Sequence, residues 1–179
     1  MNKPYGTLAA AAFFALVGFG TVAPGRAQTT LKVLSVPPTA LKPADFRNDA
    51  LPWVSTADSF YFANNLSAPV DSYAYVGLNL PHKARIKGLT VHYMDNACGI
   101  DQELVVTLTR HDLATGQVQP MAKVTTEGVV CIIDRRTVED NTIANAVIDN
   151  NKYSYALNVL FSDGIDRLRF LGATILFQQ

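Results

Sequence analysis

Apolar side chains recur at every second position in four stretches of this chain, and no other feature narrows its fold so far. Ala74, Val76, Leu78 and Leu80 share one face of an extended segment that Pro81 stops. Leu89, Val91 and Tyr93 form a second such face, Leu104, Val106 and Leu108 a third, and Tyr153, Tyr155, Leu157, Val159 and Phe161 the longest. Successive side chains of a strand point to opposite faces, so this spacing describes strands with one face buried and the other wet. Residues 168–177 are apolar on both faces, as in a central strand covered from two sides. No stretch shows a convincing helical stripe. The pattern predicts an all-β chain: a single antiparallel β-sandwich, jelly-roll-like, of seven to eight strands.

Turn formers punctuate the strands. Residues 95–100, Asp-Asn-Ala-Cys-Gly-Ile, read as the loop of a hairpin in which Met94 faces Glu103 and His92 faces Val105. A second turn at 112–116 leads to a weaker strand at 117–125, where Pro120 suits an edge or a bulge better than a central position. Residues 60–62 read as a short first strand, and 129–133 as a short apolar run that ends at the charged Asp134-Arg135-Arg136. Residues 142–148 fit a short strand or a helical turn equally well. Four prolines between 37 and 52 make 28–58 an extended, irregular lead-in, which leaves 59–179 as the sandwich domain.

Residues 1–27 have the layout of a cleavable secretory signal: a short basic start at Lys3, an apolar run over 8–22, and Gly25-Arg26-Ala27 before the expected cut. The run is about 15 residues against the ~20 that cross a bilayer, and Gly18, Gly20 and Pro24 interrupt it. The expectation is an extracytoplasmic protein, periplasmic or secreted, with no stable membrane insertion after cleavage. Lys3 and Arg26 leave with the signal, so the 15 basic residues fall to 13 against 15 acidic ones, a formal net charge of about −2. Nucleic acid is not an expected partner, since Arg135-Arg136 and the trio Lys83, Arg85, Lys87 are the only basic clusters. Cys98 and Cys131 are the two cysteines, and in an oxidising compartment they are expected to pair in a disulfide. The 33-residue loop this closes is worth roughly 3–4 kcal/mol by the chain-entropy argument. A metal pair or a reactive thiol lacks the companion residues it would need.

Catalytic constellations are sparse. The chain has no Gly-x-Ser-x-Gly and no Ser-x-x-Lys, and its three histidines, His82, His92 and His111, fall in segments unsuited to a shared zinc ion. Carboxylates are scattered over the loops, where turn chemistry accounts for them. Asp95, Asn96 and Asp101 share one loop and offer oxygen ligands to calcium, the one cofactor the sequence suggests. Among the aromatics, Tyr93, Tyr153 and Tyr155 lie on apolar strand faces and read as core with the hydroxyl reaching a partner. Tyr73 and Tyr75 lie opposite the apolar face of their strand. With Trp53 they are the candidate ligand-binding aromatics. Asn65-Leu66-Ser67 matches a glycosylation sequon.

The block from Gly77 to Asn96, with Leu80-Pro81, then Ile86-Lys87-Gly88-Leu89-Thr90-Val91-His92-Tyr93 and Asp95-Asn96, resembles one that recurs in uncharacterised exported bacterial β-sandwich proteins. The similarity continues through Leu104 to Arg110, Asn151 to Tyr155 and Leu168 to Ala173, about 100 residues from Tyr73 to Phe177. It implies a fold and a compartment and carries no catalytic residues. The function expected from these readings is non-enzymatic: a binding or structural protein of the bacterial cell envelope, partnered by a protein or by copies of itself. The alternatives are a carbohydrate-binding module using the exposed aromatics and, third, a hydrolase of unrecognised type.

Overall fold

The computed structural model describes residues 29–44, 53–62, 71–95, 103–126, 132–162 and 168–179, with the backbone alone for 53, 61, 62, 132 and 133. Eleven strands are found among them: β1 (Leu31–Val36), β2 (Lys42–Pro43), β3 (Trp53–Ser55), β4 (Phe60–Phe62), β5 (Ser72–Leu78), β6 (Arg85–Asp95), β7 (Leu104–Asp112), β8 (Val118–Thr125), β9 (Ile132–Asp140), β10 (Tyr153–Phe161) and β11 (Leu168–Gln178). The sole helical element among the described residues is a three-residue 3-10 turn at Pro38–Ala40. The signal region at 1–27 and both cysteines, Cys98 and Cys131, lie outside the described residues. No helix among the described residues is long and apolar enough to cross a membrane.

The strands form two antiparallel sheets. One runs β3-β4-β11-β6-β9, with β1 also paired to β11; the other runs β2-β5-β10-β7-β8. From β4 onward every connection crosses from one sheet to the other except that between β7 and β8, which gives the neighbour orders β4-β11-β6-β9 and β5-β10-β7-β8. These are the two interleaved Greek keys of a jelly roll.

The alternating residues explain the layering. Leu89, Val91 and Tyr93 of β6 and Phe170, Ala173, Ile175 and Phe177 of β11 face Leu104, Val106 and Leu108 of β7 and Leu157, Val159 and Phe161 of β10, and all are buried. Phe60 and Phe161 meet across the layers with ring centroids 6.3 Å apart. Ile148 closes the core from the segment before β10.

Three expectations change. The β6–β7 hairpin does not exist: β6 pairs with β11 and β9, while β7 pairs with β10 and β8. Each strand has its own fully apolar face, and two such faces bury more area facing each other across the core than lying edge to edge. Of the apolar run at 129–133, the described residues 132 and 133 open β9, which continues through the charged residues to Asp140. It can do so because β9 is an edge strand, where exposed charge is tolerated. Within the lead-in at 28–58, the described residues are largely paired into the sheets: β1 lies along β11 from Leu31↔Gln178 to Val36↔Ala173, and β2 adds to β5. Pro120 sits on edge strand β8 beside a bulge between Leu108 and Thr109 of the β7 ladder, satisfying both of its expected settings.

Candidate functional site

The outward face of the β2-β5-β10-β7-β8 sheet carries most of the chemistry. Tyr73 and Tyr75 project from β5, 46% and 37% exposed, while their neighbours Ser72 and Ala74 point into the core. Residues directly opposite in an antiparallel ladder share a face, so the register defines the rows that flank the two rings. Lys42, Tyr75, Asn158, Thr107 and Lys123 form one row across five strands. Tyr73, Leu160, Val105 and Thr125 form the row on one side, and Gly77, Ala156, Thr109 and Pro120 the row on the other. Gly77 leaves open space beside Tyr75, since a Cβ there would meet nothing within 4 Å.

A hydrogen-bond chain orders the middle of this face. The Asn158 amide Nδ2 donates to Thr109 Oγ1 at 2.8 Å, and Thr109 Oγ1 lies 3.0 Å from His111 Nε2 and 3.3 Å from the Ala156 carbonyl. With its nitrogen engaged, Asn158 keeps its carbonyl oxygen as an acceptor on the exposed face. The arrangement therefore offers two aromatic surfaces, an oriented acceptor, hydroxyls at Thr107 and Tyr75, and ammonium donors at Lys42 and Lys123. It is suited to holding an elongated polar ligand with apolar patches, since rings and hydroxyls serve both kinds of surface.

The other sequence candidates lie elsewhere. Trp53 opens β3, opposite Phe62 in the register, in the sheet that does not carry the two tyrosines. Asp95 is buried at the end of β6, and Asn96 and Asp101 lie outside the described residues. The histidines diverge: His82 Nδ1 accepts from the Asn150 amide at 3.1 Å, His92 pairs with Thr137 on the opposite sheet, and His111 belongs to the tyrosine face. Tyr93 and Tyr155 are buried as expected, and the Tyr155 hydroxyl accepts the Asp149 N–H at 2.8 Å. Burial raises the Tyr155 pKa. Tyr153 is half-buried between two cations, with Arg110 Cζ 4.2 Å and Lys152 Nζ 5.1 Å from its ring centroid. Arg110 is held in place by Gln119, which accepts from both Nε and Nη2. A separate cleft of about 380 Å³ opens between the edge strands β8 and β9, lined by Tyr93, Thr125, Arg136, Thr137 and Val138.

Sequence parity placed Tyr73 and Tyr75 on the exposed side of their strand, as the structure does. It missed Lys42, Thr107, Asn158 and Lys123, which join them only through the register of four strand pairs.

No family model matches the chain, and no curated protein matches it. Among solved structures, the fold is similar to that of a xylan-binding module, CBM15, with a TM-score of 0.52 and 9% identity over 82% of this chain and 97% of that one. A structure of the CBM22-1 and GH10 modules of Clostridium thermocellum endo-1,4-β-D-xylanase 10B complexed with xylohexaose aligns at a TM-score of 0.49 and 11% identity, over 83% of this chain and 28% of that chain. A family 35 carbohydrate binding module from Clostridium thermocellum aligns at 0.42 and 12%, over 80% of this chain and 97% of that one. At such identities the likeness speaks to the fold alone, a β-sandwich.

Proposed function

We propose that this protein is an exported, non-catalytic carbohydrate-binding module that holds a glycan against the outward face of the β2-β5-β10-β7-β8 sheet. The observation that carries the reading is the pair Tyr73 and Tyr75, solvent-facing on one strand beside the row Asn158, Thr107 and their hydrogen-bonding neighbours. A sugar ring presents an apolar C–H face and a rim of hydroxyls, and this surface offers a counterpart to each. Placed two residues apart on a strand, the rings stand roughly 6.6 Å from each other along it, close enough to touch one saccharide chain. The shared fold with a xylan-binding module supports the reading by analogy. A glycan array probed with the mature protein, and with Tyr73→Ala and Tyr75→Ala, tests it. Binding to at least one glycan that falls in both variants is expected, and uniform absence of binding removes the proposal.

A second reading, self-association in the cell envelope, has its own observation. Leu31 and Val33 are each 60% exposed on β1. Native mass spectrometry decides it, and a strict monomer would end it.

A further inference from the structure

The row through Tyr75 has a lysine at each end, and among the described residues the cross-strand rows around it carry positive charge only. Lys42 closes the row on β2 and Lys123 closes it on β8, both exposed, with Tyr75, Asn158 and Thr107 between them. The four cross-strand rows of the face hold no carboxylate: they comprise Tyr73, Leu160, Val105 and Thr125; the lysine row; Gly77, Ala156, Thr109 and Pro120; and Ser154, His111 and Val118. Asp71 and Glu103, both exposed, lie beyond Tyr73 at the far end, about 13 Å along the strands from the lysine row and outside the ~10 Å screening length of dilute salt. Asp140 approaches Lys123 at the β8 edge, but its carboxylate already accepts the Lys123 and Thr142 amides and the Thr142 hydroxyl.

We infer that the ligand of this face is an acidic glycan, a polymer bearing uronic acid carboxylates, lying across the strands along the Lys42–Tyr75–Asn158–Thr107–Lys123 row. The inference rests on the glycan-binding reading above and adds its ligand class and direction. Four inter-strand steps separate the two lysines, about 19 Å, so the site takes a run of several sugar units and sets carboxylates toward its two ends. Tyr75 supports a ring near one end. Asn158, held by Thr109, accepts from a sugar hydroxyl at the centre. The exposed Glu103 at the far end disfavours a polyanion running the other way, along the strands, and so favours the crosswise path.

The test is calorimetric titration of the mature protein with three uronate polymers, polygalacturonate, alginate and glucuronate-bearing xylan, and with the carboxyl-reduced form of each. At least one native polymer should bind more tightly than its reduced form, with affinity falling as salt rises. Lys42→Gln and Lys123→Gln should each weaken that binding about two- to fivefold, the range of solvent-exposed ion pairs, and should not alter thermal unfolding. Tyr75→Ala should weaken native and reduced forms alike. If native and reduced polymers bind equally, or both lysine variants bind as the wild type does, the lysines only guard the sheet edges and the inference fails while glycan binding stands. If only neutral glycans of the array bind, the inference fails in the same way. If no glycan binds, both readings fall.

Discussion

Removing the Asp140 carboxylate should separate the two sheets at their β8–β9 edge. Asp140 ends β9 in one sheet, and its Oδ2 accepts the backbone N–H of Lys123 on β8 in the other at 2.9 Å. Its Oδ1 accepts the Thr142 N–H at 2.7 Å and the Thr142 hydroxyl at 2.6 Å, so the chain turns tightly after β9. Just beyond, the Ala144 N–H reaches the Met121 carbonyl at 2.8 Å. Hydrogen bonds to a charged acceptor contribute about 1.5–3 kcal/mol, and the two Thr142 bonds can be partly replaced by water at this half-exposed site. Asp140→Ala should therefore cost about 2 kcal/mol, or roughly 4–8 °C in Tm, and Asp140→Asn about half as much. The pH dependence is more specific. Burial alone would raise the Asp140 pKa, but the Thr142 hydroxyl and the Lys123 and Thr142 amides outweigh it and hold it below the ordinary 3.8. A carboxyl with a depressed folded pKa adds stability above its unfolded pKa and loses it as pH falls through the folded one. The gap between wild type and Asp140→Asn in urea unfolding should thus be full near neutrality and close as pH drops below 3.8. A gap that is the same at both ends of that range, or under ~0.5 kcal/mol throughout, would refute the bridging role.

Gly172 has φ +143°, and a Cβ there would lie 3.1 Å from the Val36 carbonyl oxygen, so Gly172→Ala should cost about 1–3 kcal/mol in chemical denaturation. Tyr155→Phe should cost about 1–2 kcal/mol by leaving the Asp149 N–H without its acceptor, a loss readable as a lower urea midpoint at unchanged slope. Asp95, three positions before Cys98 in the sequence, pairs with Ile132, the residue after Cys131. Thiol titration of the denatured mature protein should find no free thiol without reductant and two with it, and the reduced form should be less stable by up to about 3–4 kcal/mol.

The strands that could be read in advance were those whose two faces differ in polarity, because burial of one face decides their pattern. Tyr153 to Phe161 is the clearest case, and the same parity placed Tyr73 and Tyr75 on the wet side. Sheet membership was harder. The segment between β6 and β7 is short enough for a hairpin and also long enough to cross the roughly 10 Å between packed sheets, so local sequence does not separate the two routes. Residues 142–148 resisted reading because tertiary contacts shape them: Ile86 N–H bonds to the Ala146 carbonyl, Ile148 N–H to Ala84, and Lys83 N–H to Ile148. No repeating pattern is needed for that. The polar half of the candidate site was hidden for a related reason. Lys42, Asn158 and Lys123 are far apart in the chain and meet Tyr75 only once β2, β5, β10, β7 and β8 are in register.

The pairing of β1 with β11 also has a consequence in time. Lys32 Nζ and Gln179 Oε1, 2.7 Å apart, are separated by 147 residues of chain, so at ~5–20 residues per second a ribosome makes the second roughly 7–30 s after the first. Throughout that interval the first strand of the sandwich has no edge to join, and Leu31 and Val33 stand open on it. The jelly roll can therefore close only after synthesis has passed β11, so the strand made earliest must wait the longest for its partner.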